Sequence, residues 1–83
     1  MRFKAKIEVG LKTGHSDPEG DTTARALREL NYPVKGASVS KVYSVVLEAN
    51  SKTEAETMVD EMCRRLLANP TKDDYKFELW EMK

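Results

Sequence analysis

The sequence predicts an α+β fold, a two-layer sandwich in which two helices cover one face of a mainly antiparallel sheet. Apolar residues alternate with polar ones near both ends of the chain, which is typical of half-buried strands. Two segments with helical spacing flank a β-branched stretch between them. With 83 residues, 40% of them hydrophobic, we expect one domain spanning residues 1–83. The predicted order is β-α-β-α-β, with a further strand if the middle stretch forms a hairpin.

The first strand and the first helix are the clearest elements. Apolar side chains occupy every second position over residues 3–11. Asp17 is placed to cap the following helix, and Pro18 suits its first position because that residue needs no amide donor. A short amphipathic helix is predicted up to Leu30, after which Asn31 can adopt the left-handed conformation that ends helices.

The middle stretch, residues 34–49, permits two interpretations. Its second half, residues 42–49, is β-branched and aromatic and predicts a strand. Gly36, Ser38 and Ser40 interrupt the first half. Because sixteen residues are few for two strands and a loop, one long strand with a bulge or kink is favoured, and a hairpin remains open.

A capping box opens the second helix, with Ser51 as N-cap and Glu54 three residues later. The buried face is predicted from three-four spacing, and it consists of Ala55, Met58, Val59, Met62, Cys63, Leu66 and Leu67. Asn69 and Pro70 end this helix, and alternation over residues 74–82 predicts the last strand.

Composition excludes several classes of protein. Fourteen Lys and Arg balance fourteen Asp and Glu, so the basic surplus of a nucleic-acid binder is absent. A single cysteine, Cys63, cannot form an intramolecular disulfide. The N-terminal residues show no signal peptide, and no run is apolar enough for a membrane helix. We expect a cytoplasmic protein that contacts neither nucleic acid nor membrane.

Strand parity predicts an apolar patch on the sheet face that helices leave open. Val42 and Val46 point opposite to the core residues of the middle strand, and Trp80 and Met82 do so in the last strand. Exposed patches of this kind often mark subunit contacts. We therefore interpret these four residues as an interface for self-association or for another protein.

Few residues are candidates for chemistry. His15, Ser16 and Asp17 resemble a triad in residue type only, and Asp17 is already expected to cap a helix. Cys63 falls in an apolar stripe, where a thiol behaves as a small hydrophobe. No glycine-rich phosphate motif occurs, although Gly14 to Gly20 lead into a helix N-terminus. No catalytic, cofactor-binding or metal-binding residue is predicted, and the loop with Gly14, His15 and Asp17 is a candidate partner contact.

Several stretches along the chain keep the spacing of one known family, and they are Phe3–Lys12, Gly14, Asp17–Gly20, Ala26–Leu30, Ala55–Glu56, Glu61–Pro70 and Asp74–Glu78. Together they resemble the PurS family, small subunits of phosphoribosylformylglycinamidine (FGAM) synthase. The matching stretches cover essentially the whole chain, and the run Cys-x-x-Leu-Leu-Ala-Asn-Pro followed by Asp-Tyr-x-Phe-Glu is the most specific. Three residues depart from the family pattern: Thr13 replaces a common Pro, and Asn31 and Ser40 replace a usual Gly.

The resemblance implies a ferredoxin-like fold and an accessory role without catalytic residues. In that role the chain bridges a glutaminase subunit, PurQ, and an ATP-dependent synthetase subunit, PurL, and assists ammonia transfer between them. ATP and Mg²⁺ are then used by the synthetase, and the small subunit associates with itself as a dimer or tetramer.

Two other functions are compatible with the residues. One is a regulatory module that binds a small ligand at a dimer interface near the first loop, and calorimetry with amino acids and nucleotides distinguishes it. The other is a stand-alone enzyme that uses His15 or Cys63, which replacement of both residues by Ala would test.

Overall fold

The computed structural model describes residues 1–83 and confirms the predicted α+β class. Three strands form one antiparallel sheet in the order β2-β1-β3, with the first strand in the centre. The elements are β1 (Arg2–Leu11), α1 (Pro18–Glu29), β2 (Lys41–Glu48), α2 (Lys52–Met62), a π-helical turn (Cys63–Leu67) and β3 (Asp73–Met82).

The central strand supplies one wall of the core. Phe3, Ala5, Ile7 and Val9 are all buried, as the alternation predicts. The register sets their neighbours on the same face, because directly paired residues of antiparallel strands point the same way. These half-buried neighbours are Leu47, Val45 and Tyr43 from β2 and Leu79, Phe77 and Tyr75 from β3.

Helix α2 supplies the opposite wall. Ser51 caps it as predicted, since its side-chain oxygen accepts a 3.1 Å hydrogen bond from the amide of Glu54. Ala55, Val59 and Cys63 have no exposed surface and pack into the two apolar clusters beneath the sheet. The helical side of the core therefore comes from α2 and its continuation.

A π-helical turn changes the end of the second helix. The amide of Ala68 donates to the carbonyl of Cys63, five residues earlier, over 2.9 Å. This wider turn inserts an extra residue and rotates the positions that follow. Leu66 is consequently 83% exposed, whereas Leu67 remains half-buried. The prediction that Leu66 lies on the buried face was wrong, because the spacing argument assumed an uninterrupted α-helix.

Helix α1 begins as predicted but packs differently. The carboxylate of Asp17 accepts a 2.9 Å hydrogen bond from the amide of Gly20, and Asn31 has φ = 70° at the far end. Only Gly20 and Ala24 are buried, and no residue of α1 belongs to either core cluster. Both helices were expected to cover the sheet, but of the two only α2 contributes residues to the apolar clusters beneath it.

The first half of the middle stretch lies outside the sheet. Residues 34–40 form no strand, so β2 covers only the second half, and neither the long kinked strand nor the hairpin is present. Instead this segment runs beside α1. The amide of Val39 donates to the carboxylate of Asp17 over 2.9 Å, and Arg28 donates to the carbonyl of Val34 over 3.1 Å. We call α1 and this segment, residues 18–39, the arm.

The molecule is elongated. Its dimensions are 51 × 29 × 14 Å. A ten-residue strand is about 33 Å long and a twelve-residue helix about 18 Å, so α1 extends beyond the sheet. The Cα radius of gyration is 16.4 Å, whereas a compact chain of this length has about 12 Å. The arm thus projects away from the body formed by the sheet and α2.

Candidate interaction surfaces

The sheet face opposite α2 carries the four residues predicted from parity. The pairings set Val46 and Trp80 on either side of Lys4, and Val42 on the same face beside Glu8. Val42 is 57% exposed and Trp80 41% exposed. Met82 lies beside Arg2 on this face and is half-buried. We call this surface the open face.

Charged residues of β1, among them Lys4 and Glu8, run through the middle of the open face. Lys76 forms an ion pair with Glu8 at 3.6 Å, and Arg2 forms one with Glu48 at 3.3 Å. The aliphatic stem of Lys4 separates Val46 from Trp80 and can itself cover apolar surface. The open face therefore has apolar residues on both outer strands, Val42 and Val46 on β2 and Trp80 and Met82 on β3. A row of charged β1 side chains lies between them.

The loop after β1 brings Gly14, His15 and Asp17 to the base of the arm. Gly14 has φ = 92°, and the amide of His15 donates to the carbonyl of Lys12 over 3.2 Å. Both carboxylate oxygens of Asp17 accept backbone hydrogen bonds, first from Gly20 and then from Val39, and these bonds lower the pKa of Asp17. Asp17 therefore fixes the arm to the loop and is committed to that structural contact.

The single thiol lies inside the apolar core. Cys63 has no exposed surface, and burial, followed by the nearby charge of Asp60, raises its pKa. A thiol with a raised pKa is a weaker nucleophile at neutral pH because less thiolate forms. No cluster of three His, Cys, Asp or Glu side chains has the geometry to hold a metal ion. Neither helix combines the length and apolar character that crossing a bilayer requires.

A polar contact that the sequence interpretation missed joins α2 to β3. The hydroxyl of Tyr75 donates a 2.6 Å hydrogen bond to Asp60, and the guanidinium of Arg64 donates a 2.8 Å bond to the other oxygen. The Tyr75 bond, and then the Arg64 bond, lower the pKa of Asp60. The four-residue spacing of Asp60 and Arg64 was a signal for their pairing, whereas only the fold brings Tyr75 to them.

An apolar groove lies between β2 and α2, at the edge of the core. Its volume is about 610 Å³ and it opens to solvent. The helical spacing assigned the apolar side chains of α2 to a buried face, so the sequence alone did not predict this groove. Glu48, Glu61 and Arg65 line it together with six apolar residues, which are Val45, Leu47, Met58, Met62, Leu66 and Leu67. We call it the groove.

The chain is similar to proteins of one known family. The family described as "PurS: Phosphoribosylformylglycinamidine (FGAM) synthase" matches residues 4–81. A PurS subunit of the same synthase from Archaeoglobus fulgidus is 46% identical over 72 residues, which are 86% of this chain and 90% of that protein. The subunit from Bacillus subtilis is 32% identical over 81 residues, covering 96% of this chain and 95% of the relative.

Solved structures agree with these sequence matches. Thermus thermophilus PurS superposes with a TM-score of 0.88 at 36% identity, over 100% of both chains. A chain in the structure of PurLQS from Thermotoga maritima also gives a TM-score of 0.88, at 33% identity over 96% of this chain and 99% of that one. With a family match over nearly its whole length, this chain belongs to the PurS family, the subunits of FGAM synthase in purine biosynthesis.

Proposed function

We propose that this chain is the accessory subunit that holds the glutaminase and the ATP-dependent synthetase of FGAM synthase together and assists ammonia transfer between them. The observation that carries the proposal is the amount of surface that the fold leaves open. The accessible surface is 6287 Å², whereas about 5,000 Å² is usual for a monomer of this mass. A subunit that joins other proteins needs a large accessible surface, and it does not need a reaction centre of its own.

The chemistry of the whole reaction explains why a joining subunit is useful. The complex converts formylglycinamide ribonucleotide, ATP, glutamine and water to FGAM, ADP, phosphate and glutamate. Ammonia released into water is protonated and diluted, whereas ammonia passed between docked subunits remains neutral and close to its acceptor. In this proposal ATP and Mg²⁺ bind to the synthetase, and this chain binds no cofactor.

The positions of the side chains that could act in catalysis support a role without catalysis. Cys63 is buried in the core, and Asp17 uses both carboxylate oxygens to hold the arm. His15 is exposed in a turn. A nucleophile, a base and an orienting group therefore do not converge on this chain.

The open face and the loop at the base of the arm are the proposed contacts with the other subunits. Val42 and Trp80 offer apolar area, and the charged row between them offers specificity. Gly14, His15 and Asp17 form the second contact. The chain also associates with itself, as a dimer or tetramer, and acts in the cytoplasm without contacting nucleic acid or membrane.

Reconstitution tests the proposed function. FGAM formation is measured with purified PurL-type and PurQ-type subunits, with and without this chain, first with glutamine and then with ammonium as nitrogen donor. Omission of this chain is expected to abolish the glutamine-dependent reaction and to spare most of the ammonium-dependent one. Equal glutamine-dependent rates with and without the chain would overturn the proposal.

A variant of the open face makes the test specific. Val42→Glu adds a charge at an exposed position of β2 and leaves the core untouched. We expect weaker co-purification of the other two subunits and a lower glutamine-dependent rate. Lys52→Glu, at an exposed position beginning α2, is the matched control and is expected to behave as the unmodified chain.

A further inference from the structure

A polar cleft lies between the loop that follows β1 and the segment that ends the arm. Its volume is about 410 Å³, and sites for small molecules usually have about 300–1,000 Å³. Only two of its eleven lining residues, Leu11 and Val39, are apolar. We call this space, bounded by residues 8–17 on one side and residues 38–40 on the other, the cleft. Its lining favours a polar ligand over an apolar one.

Two carboxylates in the cleft are held in fixed positions. One oxygen of Glu8 accepts a hydrogen bond from the hydroxyl of Ser40 over 3.2 Å, and the other lies 3.6 Å from the ammonium of Lys76. Each oxygen of Asp17 accepts a hydrogen bond from a backbone amide over 2.9 Å. A carboxylate offers about four acceptor sites, so both groups keep capacity for a further donor. An incoming ammonium group therefore meets acceptors that are already oriented.

The loop side of the cleft offers donors. The ammonium of Lys12 donates to the carbonyl of Pro70 over 3.2 Å and forms no ion pair with a carboxylate. The side chains of His15 and Ser38 are exposed. A Cβ at Gly14 would meet no atom within 4 Å, so the backbone there is open to a ligand. An incoming carboxylate therefore finds donors at this end.

Strand β1 sets the spacing between the acid and the base. Side chains of a strand alternate, so Glu8, Gly10 and Lys12 face the same side. The pairing of β1 with β3 continues as far as Lys12, whose amide donates to the carbonyl of Lys72 over 2.7 Å. Gly10 carries no side chain, so only backbone lies between the two charged groups on this side. Four residues of extended chain span about 13 Å, an interval that the two side chains can narrow to the length of a small ligand.

We propose that the cleft binds a small polar α-amino acid in its zwitterionic form. The ligand carboxylate lies against Lys12 and His15, and the ligand ammonium lies against Glu8 and Asp17. The lining combines charges of both signs, and Lys76 offsets one of the acids, so a ligand with one charge of each sign keeps the site balanced. A free anion or cation leaves an unbalanced charge in the site, which costs free energy. This binding site is additional to the protein contacts of the proposed function.

Such a ligand contacts both walls of the cleft. Glu8 and Lys12 lie on or next to β1, whereas Ser38 belongs to the arm. Binding is therefore expected to fasten the base of the arm to the sheet and to slow hydrogen exchange at Val39, whose amide bonds to Asp17. L-Glutamine, the nitrogen donor in the proposed reaction, is a member of this ligand class and serves as the probe.

Titration of the full chain with L-glutamine, followed by nuclear magnetic resonance, tests the proposal. Amide signals of residues 8–17 and 38–40 are expected to shift, with a dissociation constant of about 1 mM, which suits a ligand with few atoms. Lys12→Met and Glu8→Gln each delete one charged partner and nearly keep the shape of the side chain. Each is expected to raise the constant about 10-fold or more. Lys52→Met, at an exposed position of α2, is the matched control and is expected to bind as the unmodified chain does.

Ligand analogues identify the recognised groups without changing the chain. Succinate lacks the ammonium and butylamine lacks the carboxylate, so each is expected to bind at least about 10-fold more weakly than glutamine. Succinate or inorganic phosphate that binds as tightly as glutamine would show a general anion site and overturn the inference. Amide signals that do not move up to the solubility limit of glutamine would overturn it too.

The variants and the proposed function give separate readouts. Unchanged glutamine affinity in both Lys12→Met and Glu8→Gln would place the binding outside the cleft and contradict the inference. Circular dichroism checks that both variants fold, and the analogues test the inference on the unmodified chain in either case. The proposed function fails instead by retention of glutamine-dependent FGAM formation when this chain is omitted, so the two failures are distinguishable.

Discussion

The hydroxyl of Tyr75 donates a 2.6 Å hydrogen bond to the carboxylate of Asp60 and so fastens β3 to α2. Arg64 completes the contact from the next turn of the helix. The bond lies at the polar edge of the apolar cluster that contains Val59 and Cys63. It therefore limits how far the helix can slide over the sheet.

Removing this hydroxyl is expected to weaken the fold. Tyr75→Phe keeps the ring and deletes one hydrogen bond to a charged acceptor, which we expect to lower the Tm by about 6 °C or more. Tyr43→Phe is the matched control, because Tyr43 is also half-buried on the same face and its hydroxyl bonds to no protein group. Equal melting temperatures for Tyr75→Phe and the unmodified chain would contradict the prediction.

The same contact predicts a loss of stability in acid. Tyr75, and then Arg64, lower the pKa of Asp60, so the folded chain binds fewer protons there than the unfolded chain. The resulting stabilisation is complete well above the unfolded pKa of about 4, and it is lost as the pH falls through the folded pKa. Urea unfolding from pH 7 to pH 3 measures it.

Asp60→Asn isolates that contribution from those of the other carboxylates. The variant is expected to be less stable than the unmodified chain at pH 7 and to lose less stability on acidification. The two curves of unfolding free energy against pH should converge in acid, since Asp60 is then protonated. Parallel curves would show that the Asp60 contact does not contribute to the pH dependence.

A methyl group at Gly20 is expected to open the arm. Its Cβ would collide with the carbonyl oxygen of Ala37 and would lie 2.7 Å from the carboxylate of Asp17. Replacing Gly by Ala inside a helix usually stabilises by about 1 kcal/mol, but here we expect Gly20→Ala to destabilise. Faster hydrogen exchange confined to residues 18–39 is the expected signature.

Gly36→Ala is the control for that experiment, because a Cβ at Gly36 meets no atom within 4 Å. We expect it to leave hydrogen exchange in the arm unchanged or to slow it slightly. Similar exchange in the two variants would mean that the close approach of Ala37 does not hold the arm together.

Cys63 is expected to behave as a core residue. Cys63→Ser places a hydroxyl among apolar side chains and is expected to cost about 2 kcal/mol of unfolding free energy. Cys63→Ala is the control and should cost less, because it removes volume without burying a polar group. The thiol should react with Ellman's reagent only after unfolding, and rapid reaction of the folded chain would contradict its burial.

Local signals in the sequence determined most of the secondary structure. Alternation identified β1 and β3. Asp17 and Ser51 marked the two helix starts, because their side chains accept hydrogen bonds from nearby backbone amides. Asn31 stands where a left-handed residue was expected and has φ = 70°. These features depend on neighbours a few residues away, so a single sequence contains them.

Tertiary structure alone decided which surfaces remain open. The Asp17–Val39 bond holds the segment after α1 beside the start of that helix, and the groove lies between β2 and α2, which are apart in the sequence. The exposure of Leu66 depends on a π-helical turn, and the Tyr75–Asp60 contact joins residues fifteen positions apart. Periodicity gives the direction of a side chain within its own element, but the direction of a whole element is set by contacts between distant residues. For this chain, the sequence by itself determined most of the elements and the family, and contacts between distant residues decided which surfaces stay open.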